Sequence, residues 1–184
     1  MLACASHLNC LELVFADEIT VQLTPTITRA WGIRGQQKQV GAWTGGHQKI
    51  HIFGAMNPIT GKLHRHFAAT INGNHFEKLL RLLLRRYPKG LLVVAVDNAY
   101  WHRGKVLKRF LVRHKRLKLF YMPKYSPDMN PIELLWKQLR MAVTHNHYFG
   151  AMQQLKAALG KALSNMNLKP ESIRTLAGMY VNVH

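Results

Sequence analysis

The sequence predicts an α/β fold: a mixed five-stranded sheet, three antiparallel strands then two parallel ones, flanked by helices. Three observations carry that prediction. Three extended apolar segments precede the first helical pattern, after which strand and helix patterns alternate. Leu91–Val96 is an unbroken apolar run of strand length, as expected of a parallel strand covered on both faces. A hydrophobic fraction of 48% with 18% charged residues, over 184 residues, is ordinary for one compact unit with its own core.

The elements follow in order. Leu11 to Leu23 is rich in apolar and β-branched residues and reads as the first strand; Lys49 to Met56 and Lys62 to Ala69 read as a hairpin turning at Asn57-Pro58-Ile59-Thr60-Gly61. From Asn74 to Tyr87, Phe76, Leu79, Leu80, Leu83 and Leu84 recur at helical spacing, and Pro88 with Gly90 closes the segment. After Leu91–Val96 come a helix from about Gly104 to His114, a strand Leu117 to Tyr121, a Pro-rich turn and a helix from Pro131 to about Thr144. Ala151 to Leu163 and Pro170 to Met179 are also helical in pattern, whereas Thr24 to Gly46 is the least regular stretch. The expected organisation is a single domain over 1–184, with a core at about 11–145 and C-terminal helices at about 150–180.

Charge narrows the partners. Lys and Arg number 26 against 8 Asp and Glu, a formal net charge of +18, which creates a field that attracts polyanions. Nucleic acid is the leading partner, and a merely basic binding protein is the plain alternative. No apolar stretch approaches the roughly 20 residues of a spanning helix, so no membrane is expected. The first ten residues lack a basic n-region and their apolar run is broken by His7 and Asn9, a poor signal peptide, which makes the cytoplasm the expected location. Cys4 and Cys10 form neither a disulfide framework nor a zinc pattern and read as reduced thiols.

With so few acids, their placement is informative. Asp17 interrupts the apolar first strand, Asp97 ends Leu91–Val96, and Glu133 enters a helix after the third such run. An Asp in an apolar strand is costly unless paired, hydrogen-bonded or metal-bound. Ligands of open α/β sheets sit beyond the carboxyl ends of strands, where Asp97 would deliver its side chain and Asp17 could join it. Three converging carboxylates demand a counter-charge, and hard cations such as Mg²⁺ or Mn²⁺ prefer oxygen ligands. Two ions about 4 Å apart would clamp the attacking and leaving oxygens of a phosphodiester displacement.

Each acid also has a purely structural explanation. Asp17 could pair with one of the many cations, and Asp97 with Asn98 could cap a turn. In Asn130-Pro131-Ile132-Glu133, Asn suits N-cap, Pro N1 and Glu the capping-box position, while Glu133 and Lys137 form a favourable i,i+4 pair. Ile132, Leu135, Trp136, Leu139 and Val143 make an apolar stripe, which assigns Trp136 to the core rather than to base stacking and leaves Glu133, Lys137 and Arg140 on an adjoining flank.

Phe15-Ala16-Asp17-Glu18 followed by Arg29-Ala30-Trp31-Gly32, then Val96-Asp97-Asn98-Ala99 with His102, then Tyr125-Ser126-Pro127-Asp128-Met129-Asn130-Pro131-Ile132-Glu133 with Trp136, resemble the blocks of mariner-type DDE transposases, bacterial insertion-sequence branch. The third block is the most specific. The resemblance spans roughly Leu11 to Val143 and implies a ribonuclease-H-like sheet with Asp17, Asp97 and Glu133 as the catalytic and metal-binding triad. Thirty-five residues, 98 to 132, separate the last two acids, one more than is common in the family.

The resemblance implies cleavage at the ends of a mobile element, then attack of the freed 3′-hydroxyl on target DNA, with two Mg²⁺ or Mn²⁺ ions. Double-stranded DNA is the implied partner, in an active complex expected to be a homodimer. The helix-turn-helix units that precede this domain in the family do not fit into ten residues. A separately encoded catalytic portion, working beside a helix-turn-helix protein, is one expectation; a truncated remnant is the other.

Lys124, Tyr125, Ser126, Lys137 and Arg140 are candidate DNA contacts, and His102 is a candidate for orienting substrate or a metal-bound water, against a structural role at a helix start. Two rival readings stay open: a nuclease of the same fold without strand transfer, and an inactive nucleic-acid-binding remnant.

Overall fold

The computed structural model of the chain describes residues 11–28, 48–123 and 130–181. Five strands, β1 (Leu11–Gln22), β2 (Lys49–Met56), β3 (Leu63–Ala68), β4 (Leu91–Val96) and β5 (Leu117–Tyr121), form one sheet in the order β3-β2-β1-β4-β5. β1 pairs antiparallel with β2 and β2 with β3, while β4 lies parallel to β1 and β5 parallel to β4. The expected three-then-two arrangement is the observed one.

The helices are α1 (Gly73–Arg86), α2 (Lys105–Arg113), α3 (Ile132–Val143), α4 (Met152–Asn167) and α5 (Pro170–Val181). Strand alternation sends β1 side chains to opposite faces. Val14 and Ala16 join α1 and α2 in one apolar cluster around Phe76, Leu79, Leu83, Leu107 and Phe110. Ile19 and Val21 join α3, α4 and α5 in the other, around Leu135, Trp136, Leu159 and Ile173. Removing each such side chain from water contributes roughly 1.5–3 kcal/mol, which is what clamps the helices to the sheet.

Local chemistry sets the boundaries. Asn72 caps α1 by accepting from the His75 amide at 3.0 Å. The β2–β3 turn is organised by buried Asn57, whose Oδ1 accepts from Ile59 and Thr60 and whose amide donates to Glu12. Gly61 sits there at φ +67, and a Cβ would stand 2.2 Å from the carbonyl oxygen of Pro170.

Three expectations need adjustment. β4 is only partly covered on both faces, since Leu91 is exposed and Val93 half-buried; Val94, Ala95 and Val96, nearer the carboxyl end, are buried. A 3₁₀ turn at Tyr100–Arg103, invisible to periodicity arguments because it is a single turn, precedes α2. α4 runs on to Asn167 rather than ending near Leu163, and the Asn167 Oδ1 there accepts from the Leu63 amide of β3 at 2.9 Å. Of the irregular stretch Thr24 to Gly46, residues from 29 onward lie outside the described residues, as does the Arg29–Gly32 part of the first block.

Candidate active site

β1 is the longer partner of β4. Leu11–Phe15 pairs with Leu91–Ala95, and β1 then continues against β2 alone. Carrying the Phe15↔Ala95 register two residues further sets Asp17 level with Asp97, at the point where β4 ends. The two acids therefore stand side by side where the parallel pairing ends, the position at which ligands of open α/β sheets bind.

Asp17 shares its face with Ile19 and Val21 and so lies under α3. Its partner across β1–β2 is Gly54. A Cβ at Gly54 would stand 2.4 Å from the Trp136 ring, so the missing side chain is what admits the indole. With the ring seated, the indole N–H donates to Asp17 Oδ2 at 3.1 Å. Trp136 is core, as expected, being buried in the α3 cluster, yet its one polar atom holds a carboxylate.

Glu133 stands three residues before Trp136, one helical turn towards the start of α3, with its side chain exposed. It forms no ion pair among the described residues, so the expected pairing with Lys137 is absent. The capping-box explanation also fails. Pro131 occupies the cap, which makes Glu133 the second helical residue, and Asn130 supplies its backbone oxygen to the Glu133 amide while its buried Oδ1 has no partner among the described residues.

Asp17 is pushed up to about 8, first by burial and then by the negative charges of Glu18, Glu133 and Asp97. Asp17 therefore lies within the fields of both other candidate acids. Its side chains are not a preassembled cage: among the described residues, no three His, Cys, Asp or Glu side chains stand arranged to hold a metal ion. Their chemistry nevertheless fits one, because the donors are all oxygens and an added cation would offset both the burial and the neighbouring negative charges that raise Asp17.

Asp97 has the opposite character. Its side chain is 51% exposed, and Oδ1 meets His102 Nδ1 at 2.9 Å and accepts from the Ala99 amide at 3.0 Å. The hydrogen bond from His102, opposed by partial burial and aided by the Ala99 amide, lowers its proton affinity below the ordinary carboxylate value. The turn-capping explanation of Asp97 is thus realised alongside the acidic site. Asn98 ties the segment to its surroundings through the Met122 carbonyl and Arg103.

His102 is buried, packed against Phe76 with ring centroids 4.3 Å apart. Its Nε2 lies 3.0 Å from Glu18 Oε1. Burial opposes its charge, but hydrogen bonds to Asp97 and Glu18 outweigh that and raise it to about 9. With its ring buried and both nitrogens engaged by carboxylates, His102 has the surroundings of the structural alternative at a helix start rather than of a direct phosphate contact.

Lys137 is exposed on the same flank as Glu133, and Arg140 donates to the Thr20 carbonyl at 3.1 Å while remaining exposed. Lys124, Tyr125 and Ser126 lie outside the described residues. Glu18 was quoted in the first block without a role. The available signal was its adjacency to Asp17, since neighbours in a strand point to opposite faces and two acids there serve two environments.

A mixed sheet in this order, with Asp17 midway along β1, Asp97 just past β4 and Glu133 on the helix after β5, has the ribonuclease-H-like fold. Residues 12–156 match the family model of the DDE superfamily endonucleases, and the chain belongs to that family. It is 32% identical over 147 residues to an uncharacterized 39 kDa protein of insertion element IS630 from Shigella sonnei, a match covering 77% of this chain and 41% of that protein. The chain thus spans about two fifths of its relative's length. Among solved structures it is similar in fold to the mariner Mos1 paired end complex with Mg, at 16% identity and TM-score 0.65, covering 92% of this chain and 53% of that one. The Mos1 strand transfer complex is similar at 16% identity and TM-score 0.60, covering 94% and 56%. Among the described residues, no helix is long and apolar enough to cross a membrane.

Proposed function

We propose that residues 1–184 form the single catalytic domain of an insertion-element transposase, with Asp17, Asp97 and Glu133 as the acids that hold two divalent ions, Mg²⁺ or Mn²⁺. The observation that carries this reading is that, in a chain matching the DDE superfamily endonucleases over residues 12–156, the strand register sets Asp17 level with Asp97 where β4 ends, with Glu133 on the first turn of the helix above Asp17. A site of that kind is stable with a proton or with a cation, and only the cation makes it useful for phosphodiester chemistry.

Bound ions would supply Lewis acidity for the attacking water or 3′-hydroxyl and neutralise the leaving oxygen. The chain's own contribution is positional. Trp136 holds Asp17, the 97–103 turn holds Asp97, and the first turn of α3 carries Glu133 towards both. Duplex DNA, first the element's ends and then the target, would cross this end of the sheet, with its backbone met by Lys137, Arg140, Lys124, Tyr125 and Ser126. That structures similar in fold include a paired end complex and a strand transfer complex of Mos1 supports the DNA-joining part of this reading, and a homodimeric active form is proposed with it. Recognition of the element's ends would fall to a helix-turn-helix unit acting with this domain on bacterial DNA at the nucleoid.

The test uses the purified full chain with duplex carrying the element's ends. Asp97→Asn and Glu133→Gln are each expected to reduce Mg²⁺-dependent nicking to background while gel retardation of the same duplex persists. Cleavage by either folded variant at the parent rate would remove it from the triad. Nicking without any joined product in a strand-transfer assay would favour the simple nuclease instead.

A further inference from the structure

We propose that Glu18 and His102 form a buried positioning pair that sets the orientation of the Asp97 carboxylate for metal binding, an inference that rests on Asp97 being a metal ligand. Asp97 is the first residue past β4 and its side chain is half exposed, so the strand itself does not determine where its oxygens point. His102 supplies what the strand lacks. Its amide donates to the Ala99 carbonyl at 3.0 Å, its ring packs on Phe76 from α1, and its Nδ1 stands 2.9 Å from Asp97 Oδ1 and 3.3 Å from the Asp97 carbonyl. With the Ala99 amide also on Oδ1, that oxygen is fully engaged, and Oδ2, without a partner among the described residues, is left for an ion.

Glu18 completes the arrangement from the other side of β1. Its side chain is 3% exposed, so it cannot join Asp17 and Asp97 where the parallel pairing ends. Its Oε1 meets His102 Nε2 at 3.0 Å and orients the imidazole. In a chain with 26 Lys and Arg, this interior carboxylate faces a histidine, and that histidine reaches the active-site acid five residues earlier. A buried pair of this kind gives little net stability over apolar packing, whereas partners behind a metal ligand commonly tune affinity about 10–100-fold. A carboxylate behind an imidazole behind a ligand is the geometry expected of the second purpose.

The test is Mn²⁺ binding to the full chain, followed by electron paramagnetic resonance of the free ion. His102→Phe keeps the packing on Phe76 and removes both ring nitrogens; Glu18→Met keeps volume and removes the acceptor. Each is expected to weaken Mn²⁺ binding about tenfold or more, with nicking recovered at higher Mn²⁺. Glu18→Gln, which retains an acceptor oxygen, should bind ahead of Glu18→Met. Asp97→Asn is the control. If it leaves Mn²⁺ affinity unchanged, the triad reading itself fails; if it weakens binding while folded His102→Phe binds like the parent, only the positioning pair is overturned. The unaltered protein supplies a second measurement: Mg²⁺ should shift the ring ¹⁵N resonances of solvent-inaccessible His102, and their invariance through saturation would overturn the proposal.

Discussion

The two strand-borne acids stand level with each other across β1 and β4 and yet live in opposite surroundings. Asp17 is enclosed beneath α3, receives one hydrogen bond from the Trp136 indole, and is crowded by three other carboxylates. Asp97 is half exposed and receives two, from His102 and the Ala99 amide. The first is driven towards its neutral form and the second towards its charged form. Two residues of the same chemistry are thus set apart by burial, neighbouring charge and the donors each receives. One carries a repulsion that a cation can release, and the other is a carboxylate ready for one.

The most damaging way to break the Asp17 side without touching an acid is Gly54→Ala. The new methyl would displace the Trp136 ring, and overpacking of this sort costs about 1–3 kcal/mol. Displacement of the ring also moves the donor on Asp17 and the turn that carries Glu133. Misplacement of reacting groups by about 1 Å can cost about a hundredfold in rate, so nicking should fall by that order while Asp97 stays in place. Parent-like nicking by the alanine variant would mean that the indole does not position Asp17.

Metal-free stability against pH sharpens the contrast. Asp17 has an ordinary value of 3.8 and a folded value of about 8, so between them the folded state keeps a proton that the unfolded chain has released. Stability from this group therefore falls as pH rises from about 4 to about 8. His102 is raised from 6.5 to about 9, and its contribution is fully present below 6.5 and lost as pH rises through 9. Asp97, lowered, contributes above 3.8 and loses that contribution as pH falls through its folded value. Thermal unfolding without divalent ions should accordingly show a melting temperature that declines from pH 6.5 to pH 9. Asp17→Asn should remove the portion below pH 8 and raise the melting temperature at pH 8; an unchanged profile would contradict the crowded state of Asp17.

The smallest effect belongs to the flank outside both environments. Lys137→Ala should weaken duplex binding uniformly across sequences and reduce the slope of log affinity against log salt by about 1. An unaltered slope would take Lys137 out of the DNA path.

Much of this was legible in residue order. Apolar and β-branched runs located every described strand and helical periodicity the five helices, and the run ending at Asp97 announced both a parallel strand and an acid at its mouth. The motif around Glu133 named the third acid. Other features depended on partners distant in sequence: Gly54 needs Trp136 to explain it, and His102 needs Glu18, 84 positions away. Neither pairing has a local spacing from which it could be inferred.

Apolar runs and helical periodicity are properties of neighbouring residues, so the order of apolar and polar positions settled the elements and their sequence along the chain and singled out three candidate acids on them. Which acid is enclosed, which is solvated, and which histidine stands behind it depended on how β1 lies between β2 and β4 and on where α3 and the 97–103 turn pack against it. Burial and electrostatic coupling are sums over all neighbours in space, and those neighbours are assembled only when the sheet is.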